Sequence, residues 1–165
     1  MKREKEEKYE YLLSNLNDFF QIIDADSLSA EVYILSGISV LGNFTALVRE
    51  LFESFSWVGF YILSDDMLYL GPFQGKVACD RIPLGEGVCG TAAERMETLV
   101  VPDVHKFEGH IACDSSSNSE IVVPVFINGK VWGVLDIDST NFNNFDETDK
   151  IYLEKIVNLL FEIIK

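Results

Sequence analysis

The dipeptide Asn128-Gly129 constrains this chain more than any other feature. It joins two runs, 121–127 and 130–138, that are rich in β-branched and aromatic side chains, and Asn-Gly between such runs is the strongest short-range signal for a β-hairpin. The turn pins the register, because a one-residue slip would send every side chain to the opposite face. Alternation then places Trp132, Val134, Asp136 and Asp138 on one face of the second strand and Gly133, Leu135 and Ile137 on the other. Charge on an apolar strand costs free energy unless a partner or water meets it. Asp138 is explained by a strand leaving the core toward Ser139-Thr140-Asn141; Asp136 is not, so something cationic or solvated is expected there.

A second hairpin precedes the first. Residues 56–63 show a period of two, Ser64-Asp65-Asp66 turns the chain, and 67–70 forms the returning strand. Trp57, Gly59 and Tyr61 share one face, Val58, Phe60 and Ile62 the other, so two large aromatics separated by a glycine form a small apolar recess. Aromatics on a strand more often serve a core than a ligand. Residues 71–75 turn, 76–83 are short and mixed, and the glycine-dense 84–90 opens onto a helix at 91–96. Cys89 would sit near that helix's N-terminus, where the macrodipole favours a thiolate. No Lys-Ser/Thr follows the glycines, so this is not a phosphate loop. A brief strand at 97–101 comes next.

Helical stripes flank this β-rich middle. Residues 4–23 carry Tyr9, Leu12, Leu13, Leu16, Phe19, Phe20 and Ile23 at helical spacing, with charge opposite. After a break at 24–27, Ser27 can cap a second helix whose inner face holds Val32, Leu35, Leu41, Phe44, Leu47, Val48 and Leu51. A helix pair at a domain edge is also a common dimer surface. Asp146 caps a last helix with the stripe Leu153, Ile156, Val157, Leu160, Ile163 and Ile164. Helices, antiparallel hairpins and a closing helix predict an α+β domain, with the N-terminal and C-terminal helices packed on one face of an antiparallel sheet.

At 165 residues and 48% apolar, with no linker or repeat, residues 1–165 read as a single domain. A net charge of −14 disfavours nucleic acid and anionic membrane surfaces. The N-terminus has no apolar stretch of signal-peptide length, no run approaches the ~20 apolar residues of a membrane span, and the cytoplasm is the default location. Cys79, Cys89 and Cys113 are an odd number, which argues against a structural disulfide framework. Their gaps of nine and twenty-three residues miss the close pairing of zinc sites. The eighteen residues 103–120 carry both histidines, Cys113, four carboxylates and four serines without helical or strand periodicity. Loops of that length in a compact domain are usually disordered or functional, and the apolar Ile111 and Ala112 beside Cys113 argue for function.

The segments WVGFY at 57–61, GPFQGKVAC at 71–79, GVCGTA at 87–92, DVHKFEGHIACDSSSNSEIVVP at 103–124 and GVLDIDS at 133–139 closely resemble the free methionine-R-sulfoxide reductases, a GAF-domain family. The match runs over about residues 29–160 with the motifs in the family's order. It implies a GAF-like fold and a thiol cycle in which Cys113, Cys79 and Cys89 all take part. It further implies a site walled by Trp57 and Tyr61, with Glu120, Asp136 and Asp138 contacting free methionine-R-sulfoxide. Thioredoxin as electron donor, a homodimer, and no need of metal, flavin or nicotinamide complete the implication.

These residues suit that chemistry. A thiolate attacks the sulfoxide sulfur while an acid protonates its oxygen, and Glu120, on an apolar strand near other carboxylates, can be raised enough to serve. Asp136 or Asp138 can bind the ammonium, and backbone N–H groups at 115–119 the carboxylate. A sulfenic acid on Cys113 would then condense with Cys79 or Cys89. Electrostatics alone makes Cys89 the better thiolate, whereas Cys113 shares a loop with Glu120 and ranks first as attacker. His110 can assist Cys113 or simply tether the loop. Two rival readings are a non-catalytic GAF ligand-binding module and a redox sensor switched by a disulfide.

Overall fold

The Asn128-Gly129 turn forms as its residues demand, with Asn128 at φ 52° and Gly129 at φ 75°. Positive φ at both positions suits a turn whose twist matches its flanking strands. In the computed structural model, which describes residues 2–20, 22–23 and 25–164, this turn joins β5 (Ser119–Ile127) to β6 (Lys130–Ser139). Four further strands complete an antiparallel sheet: β1 (Trp57–Ser64), β2 (Met67–Gln74), β3 (Arg81–Pro83) and β4 (Leu99–Val101). Their order is β3-β2-β1-β6-β5-β4, which puts β1 and β6 at the centre.

The helices α1 (Lys2–Phe19), α2 (Ala30–Leu51) and α4 (Glu147–Ile163) cover one face, as the α+β reading requires. Val58, Phe60, Ile121, Val123, Leu135 and Ile137 meet Tyr9, Leu12, Leu41, Phe44, Leu153 and Ile156 in that core. Each such side chain contributes roughly 1.5–3 kcal/mol when fully buried. The helix α3 (Gly87–Arg95) lies on the opposite face with Trp57, Tyr61, Val122 and Val134. The sheet thus separates a structural core from a second, smaller cluster. Asp146 caps α4 as expected, and Asp149 closes the capping box while accepting from the Tyr9 hydroxyl at 2.7 Å and Lys5 at 2.6 Å.

Several local expectations are corrected. The helix α1 ends at Phe19, not 23, although Phe20 and Ile23 still pack into the core. Ser29, not Ser27, caps α2, accepting from the Val32 N–H at 3.3 Å; Asp24 lies outside the described residues. Leu41, Phe44 and Val48 are buried on α2, but Val32 and Leu35 are exposed. At 22 residues and mean hydropathy 1.5, α2 also reaches a span-like composition, although its second half packs against the sheet as a core helix does. The strand β2 continues through Gly71-Pro72 to Gln74, because a bulge opposite Phe60 accommodates the proline. A second bulge shifts the register between Val125 and Phe126, so Val125 faces Gly133 and Phe126 faces Val131. Trp132 is the extra residue and turns to the helical face, against Phe161, rather than sharing a face with Asp136.

Candidate active site

Two central strands build the floor of the site. Trp57 and Tyr61 lie four positions apart on the same face of β1, both buried, with ring centroids 6.0 Å apart. Phe73 of β2 stacks on Trp57 as well, at 5.3 Å. Sequence reasoning missed Phe73 because it ended β2 early; the continuing alternation past Pro72 was the available signal. The Trp57 indole N–H donates to the Lys76 carbonyl and the Tyr61 hydroxyl to the Cys79 carbonyl, each at 3.0 Å. The aromatic wall therefore also fixes the segment that carries Cys79.

Room for the indole comes from Gly59 and Gly75, since a Cβ at either would run into the Trp57 ring. At Gly75 the backbone also holds φ 143°, a conformation side chains resist. Gly59→Ala is expected to destabilise the fold by about 1–3 kcal/mol, as overpacking does. Urea unfolding followed by tryptophan fluorescence measures it.

Over this floor, Cys79 and Cys113 form a disulfide with Cα atoms 5.3 Å apart across 34 residues of chain. The loop bearing Cys113 is ordered by its own side chains. Asp114 accepts from Ser116 N–H at 2.9 Å and Ser116 Oγ at 2.7 Å, and Lys76 bridges Asp114 and Ser116. These bonds lower the Asp114 pKa, the Ser116 N–H most strongly. Asn118 is held by its N–H to Ser139 and by its side chain to His105 and Thr140. The N–H groups of Ser116, Ser117 and Asn118 are thus already engaged within the protein. Three of the N–H groups expected to cradle a substrate carboxylate are therefore taken; the buried Ser117 hydroxyl, which lies beside Asp138, also lines the cavity.

The third thiol has a different environment from the one its sequence suggested. The helix α3 begins at Gly87, which makes Cys89 its third residue, near the N-terminus as expected. Yet Cys89 is buried, donates to Glu120 Oε1 at 3.9 Å, and has its pKa pushed well up by burial and then by Asp136 and Glu120. Desolvation and two carboxyl neighbours outweigh the helix dipole, so Cys89 is a thiol and not the better thiolate.

The carboxyl groups converge from paired strands: Glu120 of β5 stands opposite Asp138 of β6, and Asp136 opposite Val122. Burial raises the pKa of Glu120 well above its ordinary range, and Asp136 and Asp138 add to that. Burial pushes Asp136 up to about 7 against the pull of Cys89 and Glu120, and raises Asp138 with Asp136's help. Asp136 Oδ1 is buried without a hydrogen-bond partner. His110 is lowered by burial and by His105. One narrow cavity, of about 30 Å³, is lined by Trp57, Tyr61, Cys89, His110, Cys113, Glu120, Asp136 and Asp138. It gathers the residues singled out in sequence, with Cys79 bonded to its rim; Ile82, Ile111 and Ser117 are among the other residues that line it.

A disulfide-forming cysteine pair, a carboxyl whose pKa burial raises and an aromatic recess around one hollow suit reduction of a small sulfoxide. The model of the GAF domain matches residues 39–165. The chain is 45% identical to the free methionine-R-sulfoxide reductase of Escherichia coli (strain K12), over 91% of each chain. Among solved structures it resembles fRMsr of Staphylococcus aureus in its reduced form, with TM-score 0.75 and 51% identity over 78% of this chain and 83% of that one. It also resembles free methionine-R-sulfoxide reductase from Neisseria meningitidis in complex with its substrate, with TM-score 0.73 and 43% identity over 88% and 93%. Fold, site and these likenesses agree: the chain belongs to the free methionine-R-sulfoxide reductases, a family built on the GAF domain.

Proposed function

We propose that this protein reduces free L-methionine-R-sulfoxide to L-methionine, with Cys113 as the attacking sulfur. The observation that carries the reading is the Cys79–Cys113 pair at the rim of a cavity that also holds Trp57, Tyr61 and three carboxyl groups with raised pKa. The Cys113 thiolate attacks the sulfoxide sulfur, and Glu120, protonated near neutral pH, gives its proton to the oxygen. A protonated Glu120 also spares the thiolate one repelling charge. The oxygen passes to Cys113 as a sulfenic acid and methionine leaves. The Cys79 thiol condenses with that sulfenic acid, releasing water and forming the disulfide. An external dithiol, thioredoxin in this reading, restores both thiols by exchange. Cys89 positions the Glu120 carboxyl through its bond to Oε1.

Recognition follows from the same residues. Trp57 and Tyr61 receive the methyl group, while Asp136, whose Oδ1 is unpartnered, and Asp138 take the ammonium, whose positive charge favours their ionised forms against the burial that raises their pKa. The Ser117 hydroxyl donates to the carboxylate. A methionine within a peptide lacks the free ammonium and carboxylate and is excluded. A reducing compartment, the cytoplasm, suits a cycle that depends on dithiols.

The test is epimer-selective turnover. Purified protein with dithiothreitol should consume free methionine-R-sulfoxide, leave the S epimer, and ignore N-acetylmethionine sulfoxide. No turnover of either epimer would instead favour a ligand-binding module, and a disulfide that answers to peroxide but not to the sulfoxide would favour a redox sensor.

A homodimer through α2 belongs to the same proposal. Val32, Ile34, Leu35 and Ile38 are exposed on its first half, Leu35 by 55%, beside the exposed Ile22 and Leu28. A contiguous apolar patch of this kind marks an interface. Leu35→Asp is expected to convert a dimer to a monomer in light scattering.

A further inference from the structure

We propose that Cys89, Glu120 and Asp136 form a binding site for a thiophilic divalent cation of the Zn2+ class. One ligand atom from each residue lies within 4.8 Å of the others, and all three residues are buried. Cys89 Sγ and Glu120 Oε1 are 3.9 Å apart. Tetrahedral zinc with bonds of about 2.3 Å to sulfur and about 2.1 Å to oxygen needs roughly 3.6 Å between them, so this pair stands within a few tenths of an ångström of the required separation, and a side-chain shift brings Asp136 in.

A separate observation points to a cation. Asp136 is only 6% exposed, faces the cavity, and leaves Oδ1 without a hydrogen-bond partner. The three donors stand on α3, β5 and β6, elements that hold their side chains in fixed positions. One thiol with two carboxyls selects against Mg2+ and Ca2+, which take six or more oxygens, and favours a softer ion. A fourth position opens to the cavity, toward Asp138 or water. Cys89 lies outside the Cys79–Cys113 disulfide, so its thiol is available in the oxidised protein. Binding expels the thiol proton and any carboxyl proton to solvent. In the reductase reading, on which this consequence rests, ion and substrate ammonium compete for the same Asp136 oxygen, and the ion is an inhibitor.

Cd2+ titrated into the oxidised protein tests the site, because Cys89 is then the sole free thiol. The expected result is a thiolate-to-cadmium absorption band in the ultraviolet that saturates at one ion per chain. Cys89→Ala should show no band, and Asp136→Asn and Glu120→Gln should each weaken binding about tenfold or more, with far-UV circular dichroism confirming the fold. No band in the unaltered protein, or a band of unchanged affinity in both carboxyl variants, overturns the proposal. The readout involves no sulfoxide, so a failure here leaves the reductase reading standing, and a failure of turnover leaves the band standing.

Discussion

Cys113→Ser is expected to form no methionine from free methionine-R-sulfoxide even in a single turnover, whereas Cys79→Ser should form one equivalent per chain and then stop. The asymmetry follows from the roles in the disulfide that joins these two residues. A chain without the attacking sulfur cannot accept the oxygen. A chain without the second sulfur accepts it once and is left as a sulfenic acid, which dimedone would trap. Quenched-flow chromatography of methionine on reductant-free protein separates the two variants, and the reverse pattern would make Cys79 the nucleophile.

Glu120→Gln is expected to lower kcat/KM by roughly 10²–10⁴-fold, the usual contribution of a positioned acid. Glutamine keeps the shape and hydrogen-bonding reach but has no proton to give. Because burial and the neighbouring aspartates raise the Glu120 pKa, its acid form persists to higher pH than that of an ordinary glutamate. The unaltered enzyme should lose rate as pH climbs through that raised value, and the glutamine variant should lose this dependence. Asp136 adds a stability effect of defined sign. A carboxyl raised from 3.8 to about 7 in the folded state stabilises fully below 3.8 and loses that contribution as pH rises through about 7. Asp136→Asn should therefore flatten the decline between pH 4 and 8 and raise the melting temperature at the alkaline end, read by thermal unfolding across that range.

The parts of this site that were legible in the sequence are those governed by a period of two. Alternation on β1 placed Trp57 and Tyr61 together, and the Asn128-Gly129 turn placed Asp136 and Asp138 on the face that becomes the cavity floor. Trp132 escaped because a bulge adds one residue to the alternation, and a bulge leaves no mark on composition. Cys89 was misjudged for another reason: its helix terminus is a local feature, while Glu120 and Asp136 reach it from strands 31 and 47 residues further along the chain. Burial beside distant carboxyls then reverses the local prediction. The serine-rich loop is a similar case, since Asp114 and Ser139 engage N–H groups that looked free. Convergence of Cys79 and Cys113 was carried only by family resemblance, because no spacing rule links two cysteines 34 residues apart across a sheet edge and a helix.

The most direct measurement mixes fully reduced, reductant-free protein with an equimolar amount of free methionine-R-sulfoxide, followed by alkylation and peptide mass spectrometry. One methionine per chain should appear together with a crosslink between the peptides of Cys79 and Cys113, and Cys89 should carry the alkyl label. Unreacted sulfoxide with all three cysteines alkylated, or a crosslink that contains Cys89, would contradict the account.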